Sequence, residues 1–156
     1  MELEPSIHLE PRAQGEPFPY TYSMSGAPTR PLPTWEALFD LLHLLGLHRE
    51  YYYLVVDRTD GVERWAQVIG HPEAMAVELG LPDEPKRVHR TAGDQSGRML
   101  TTAIETHVEA RASELFTAAE AHVLIRAWLE RGMLGIDGTA LRTPDDWARM
   151  YPDTAD

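Results

Sequence analysis

The 156-residue chain contains no cysteine. That removes disulfides, thiolate nucleophiles and every zinc or iron–sulfur site built on cysteine. It also has no asparagine and one lysine, Lys86, against thirteen arginines, a bias that follows GC-rich coding and carries no functional message. Positive charge is scarce: 14 Lys and Arg stand against 25 Asp and Glu, for a formal net charge of −11. Such a balance repels phosphate backbones and anionic headgroups, so non-specific nucleic-acid binding and anchoring to anionic membranes are poor readings. No run approaches the roughly 18 apolar residues needed to span a bilayer. Met1 to Arg12 is acidic at its start and lacks an apolar h-region, so no secretory signal is expected there, and the expected location is cytoplasmic.

What is present is ordinary for a folded domain: 43% hydrophobic and 25% charged residues over a length that supports one core. The acidic excess is spread evenly, with every segment of some 25 to 40 residues carrying a net of −2 or −3. Any acidic face must therefore be assembled by folding. Residues 1–33 hold seven of the twelve prolines and read as an extended arm, with Phe18 to Tyr22 as a short piece packing on the domain. Residues 34–156 read as a single α+β domain.

Thr34 predicts an N-cap, with a helix from Trp35 to Leu45 and Gly46 as its stop. Trp35, Leu38, Leu41, Leu42 and Leu45 share one face, and Phe39 and Leu44 widen the stripe beyond what one core contact requires. The surplus is either buried or offered to a partner. From Tyr51 the pattern turns to strands. Tyr51–Arg58 is aromatic and β-branched, Asp60-Gly61 marks a turn, and Val62–Ile69 alternates Ala66 and Val68 with Trp65, Gln67 and Ile69. Ala74–Leu79 and Lys86–Thr91 predict a third and a fourth strand. Met99–Arg111 fits either period, and a strand is preferred. Thr117 and Glu120 form a capping box for a helix to about Arg131, stopped by Gly132. Thr143 to Trp147 predicts a last capped turn. The expected architecture is an antiparallel meander of four or five strands with an N-terminal and a C-terminal helix packed on it.

Nucleotide-binding glycine loops, the Gly-x-Ser-x-Gly nucleophile pattern and the EF-hand pattern are absent. No cofactor is expected. Of seven histidines none is spaced as His-x-x-x-His, and the one conceivable constellation is His89, Glu105 and His107 on paired strands. Asp57 with Asp60 and Asp145 with Asp146 fall where turns and caps explain them. In Tyr22-Ser23-Met24-Ser25-Gly26 the residues Ser23, Ser25 and Gly26 offer an anion-binding turn, but a flexible linker is the preferred reading. Tyr51, Tyr52, Tyr53 and Trp65 are the aromatic candidates for an interface, because a strand must turn some of them to solvent.

Tyr53-Leu54-Val55-Val56-Asp57-Arg58 leading into Trp65-Ala66-Gln67-Val68, then Glu114 to Ala121 and Ala127-Trp128-Leu129, resemble small actinobacterial immunity proteins encoded beside polymorphic toxins. The likeness covers about residues 50 to 132. It rests on a hairpin and a capped helix, and it brings no catalytic residues with it. It implies a non-catalytic binder of a cognate, basic protein toxin, covering the toxin's active site or substrate surface. The surface expected to do this is acidic and aromatic: Tyr51, Tyr53, Asp57, Asp60, Glu63, Trp65, Asp83 and Glu84. The alternative expectation is a small-ligand-binding protein or enzyme with a pocket between sheet and helices.

Overall fold

The computed structural model describes residues 18–47, 53–81, 84–93, 97–101 and 107–142. In chain order these form Tyr20–Met24 (β1), Arg30–Pro31 (β2), Trp35–Leu42 (α1), Tyr53–Arg58 (β3), Trp65–His71 (β4), Ala74–Leu81 (β5) and Glu84–Arg90 (β6). Gly97–Thr101 (β7), His107–Arg111 (β8), a 3-10 turn at Ala112–Glu114, Leu115–Phe116 (β9), Ala118–Arg131 (α2) and Thr139–Arg142 (β10) follow. The fold is α+β with an antiparallel sheet. The sheet is larger than expected: eight strands in the order β10-β6-β5-β4-β3-β1-β2, with β9 also paired to β5.

The expected meander is its centre, β3 to β6, each strand antiparallel to the next. Its alternation sets the two faces. Leu54, Val56, Ala66, Val68, Met75, Val77, Leu79 and Val88 are buried beneath the helices. α2 lies across β4 and β5, and α1 packs beside α2. The additional strands come from segments with little periodic signal. β1 is a proline-free stretch of the presumed arm, in register with β3 from Tyr20–Arg58 to Met24–Leu54. Tyr20, Met24 and Leu32 belong to the core, so this part of the expected arm joins the sheet through β1 and β2. β2 and β9 are two residues each, and β10 pairs with β6 after the second helix.

Three further expectations are corrected. The Met99–Arg111 strand is a hairpin: β7 pairs with β8, Leu100 opposite Val108, in a sheet of its own. The returning β4 begins at Trp65 instead of Val62, because Thr59–Arg64 forms a longer loop. α1 ends at Leu42 instead of Leu45. The chain then tightens, with the Leu44 amide donating to the Leu41 carbonyl and the Leu47 amide to the Leu44 carbonyl. Gly46 is therefore not the helix stop that was expected, since His43 caps α1; its φ is +86°, and a β-carbon there would fall 2.6 Å from that of His71. The capped turn expected at Thr143–Trp147 lies outside the described residues.

α2 follows its sequence signals closely. Thr117 Oγ1 accepts from the Glu120 amide at 3.2 Å, and the Glu120 carboxylate accepts from the Thr117 amide at 2.9 Å. Ala121, Leu124, Ile125 and Leu129 are buried. Leu124, Ile125 and Leu129 each stabilise the fold by about 1.5–3 kcal/mol relative to exposure. Gly132 closes the helix with φ +69°. No described helix is long and apolar enough to cross a membrane.

Candidate functional site

Trp65 and Asp57 face each other across β3 and β4, on the side of the sheet away from the helices. With Thr59, Gly61, Val62 and Glu63 they surround a shallow hollow of about 290 Å³ at the hairpin end. Burial pushes the Asp57 carboxyl above its ordinary value. Trp65 is half-buried, and its indole stands over the Cα of Gly80, its partner on β5.

The hairpin end is less acidic than its sequence implies. Asp60 receives two hydrogen bonds from Arg58, Nε at 2.8 Å and Nη2 at 3.0 Å. That bidentate contact lowers the Asp60 pKa and raises that of Arg58. The same guanidinium donates through Nη1 to the Leu129 carbonyl at 2.7 Å, and Arg64 reaches the Leu129 and Glu130 carbonyls at 3.3 Å. Two arginines thus close the C-terminal end of α2, where unpaired carbonyls and the helix dipole favour cations. The loop is a structural clamp with Asp57 and Glu63 left on its outside.

The other expected residues do not join this patch. Tyr53 opens β3, four residues from Asp57 and so roughly 13 Å along the strand. Its backbone is tied to Ser25, which accepts the Tyr53 amide on Oγ at 3.2 Å. Glu84 opens β6. Tyr51 and Asp83 lie outside the described residues. Of the alternative constellation, His89 on β6 meets the Arg90 carbonyl at 3.0 Å and His107 opens β8 in the separate sheet. Glu105 lies outside the described residues. No group of three metal-ligating side chains gathers among the described residues. The sheet and helices meet through apolar core side chains.

A larger concavity, about 660 Å³ and open to solvent, runs between α1 and α2. Thr34 starts it by accepting the Ala37 amide on Oγ1 at 3.0 Å, which orients α1. Trp35 forms the floor, its Nε1 donating to Glu130 Oε2 at 2.7 Å. Arg126 lies over the Trp35 ring at 5.7 Å and pairs with Glu130 through Nε at 3.3 Å. His122 donates from Nε2 to the Trp35 carbonyl at 2.9 Å and meets the Phe39 ring edge-on at 5.5 Å. Glu36 and Asp40 stand exposed on the α1 wall. Phe39 is 38% exposed, and beyond it Leu44 and Leu47 are 38% and 65% exposed.

None of the groove residues was singled out as a site by the sequence, although the signal was there. Phe39 and Leu44 are the surplus of the α1 stripe, and the surplus is the part that stays uncovered. His122 and Arg126 sit on α2 beside the buried stripe, and only the packing of α1 against α2 gives them a common surface. A scan against family models matches none, and no curated protein matches the chain.

Proposed function

We propose that the protein is a non-catalytic binding module of the immunity type, inhibiting a basic protein toxin by covering its active site or substrate surface. One observation carries the reading. A chain of net charge −11 leaves Phe39, Leu44 and Leu47 exposed along α1 and the turn after it, beside Glu36 and Asp40. Of these, Phe39 is of the aromatic kind enriched in interfaces, and the leucines extend the apolar surface around it. Carboxylates around them and the overall field speed encounter with a basic partner.

Co-expression with a protein encoded beside its gene that arrests growth on its own tests the reading. Cells carrying both should grow, and cells carrying the neighbour alone should not. Equal growth arrest in both cultures contradicts it.

A further inference from the structure

We infer that the groove between α1 and α2 is the docking site for a basic amphipathic helix of the partner, an inference resting on the binding-module reading. Charge is the first ground. Asp60, Glu78, Glu114, Glu120 and Glu130 each pair with an arginine. Like Asp57, Glu63, Glu73 and Asp137, Glu36 and Asp40 have no ion-pair partner among the described residues, but these two line the groove beside Phe39 and sit at i and i+4, where like charges destabilise a helix. The cation already in the groove, Arg126, is held by Glu130 against the Trp35 ring. The open wall is therefore negative and is complementary to lysine or arginine.

Shape and hydrogen bonding are the second ground, and they select a helix over an extended segment. The Trp35 carbonyl meets His122 Nε2, and the Phe39 carbonyl meets His43 Nδ1, each at 2.9 Å. An extended peptide would desolvate its own amides against a wall whose carbonyls are already engaged. A helix satisfies its backbone internally and presents only side chains. Its apolar stripe would cover Phe39, and its cations would meet Glu36 and Asp40.

The test uses the ¹⁵N-labelled full chain and a short synthetic peptide of leucine and lysine with leucine at helical spacing. Controls are a peptide of the same composition with leucine and lysine strictly alternating, and a leucine–glutamate helix. Only the leucine–lysine helix should bind saturably, shifting amides of Glu36–Leu47 and His122–Arg126. Phe39→Ala and the double variant Glu36→Lys/Asp40→Lys should each weaken it about tenfold or more. All these positions are exposed, and an unchanged thermal melt confirms that the variants fold. Equal binding of the alternating peptide, shifts confined to Asp57–Trp65, or unchanged affinity in the variants would overturn the inference. The neighbour-encoded protein separates the two levels. A complex that these variants do not weaken removes the groove and leaves the binding module; failure of the wild-type chain to bind the neighbour removes the binding-module reading itself.

Discussion

The indole of Trp65 fills the space that a side chain on Gly80 would need. A β-carbon at position 80 would lie 2.3 Å from Trp65 Cε2 and 2.4 Å from Cζ2. The pair sits directly across β4 and β5, so the ring shields a glycine that contributes no side chain to the sheet. A tryptophan that reads as a partner anchor therefore has an intramolecular task as well. Gly80→Ala must displace the ring, and a loss of about 1–3 kcal/mol is expected. Urea unfolding followed by far-UV circular dichroism measures it; an unchanged midpoint would show that the ring does not rest there.

Glu114 has no exposed surface and lies between two arginines, 3.6 Å from Arg87 Nη1 and 3.2 Å from Arg142 Nε. It also accepts the Arg111 amide at 2.8 Å. This carboxylate ties the 3-10 turn to β6 and β10. Its removal takes one carboxylate from two largely buried guanidinium groups, of which Arg87 keeps Glu78 at 2.9 Å, so Glu114→Ala should cost up to about 3–5 kcal/mol. A double-mutant cycle with Arg142→Met should return a coupling well above the error. Simple additivity of the two losses would argue against the network.

The pH dependence of stability should carry two opposite contributions. Burial pushes the Glu120 carboxyl up, but the Thr117 amide and the Arg90 guanidinium outweigh it and hold the group below its ordinary value. A depressed carboxylate contributes stability above its unfolded pKa and loses it as pH falls through the folded one. The deficit of Glu120→Gln at pH 7 should therefore shrink as pH falls below the ordinary carboxylate range and through the depressed pKa of the folded group. Asp57 runs the other way, because burial raises it. Its stabilising contribution is present below the unfolded pKa and disappears as pH rises through the folded one, so Asp57→Asn should be no less stable than wild type at pH 7. Melts of each variant paired with wild type, at pH 7 and through the acid range, decide both signs.

Gly132 has two reasons to stay glycine. Its φ is +69°, and a β-carbon would lie 2.9 Å from Arg64 Nη1, one of the two guanidinium groups closing α2. Gly132→Ala should cost about 1–2 kcal/mol and loosen the hairpin loop. Hydrogen exchange at Thr59–Arg64 reports this directly. Faster exchange there is expected, and unchanged protection would separate the loop from the helix end.

The parts of this fold that could be read in the sequence are those whose signals are local. The alternation of Ala66 and Val68, the Thr117–Glu120 box and the Gly132 stop each act within a few residues, and each appears where expected. Strands β2 and β9 are too short to show a period, and β1 stands just after Pro19 in a segment whose composition argues against a sheet. The fate of the acidic hairpin was hidden for a different reason. Arg58 binds both Asp60, two residues away, and the Leu129 carbonyl, 71 residues away, and only the second contact explains why it is held there. The groove is likewise a product of long-range packing, since Phe39 and His122 meet only when α1 lies against α2.

Titration of the purified full chain with the protein encoded beside its gene tests the central claim most directly. The account predicts a stable stoichiometric complex in which the partner loses its activity. It also predicts an association rate that falls as salt is raised, because the acidic surface steers the encounter. A mixture with no complex at low or high salt, and a partner that keeps its full activity, would contradict it.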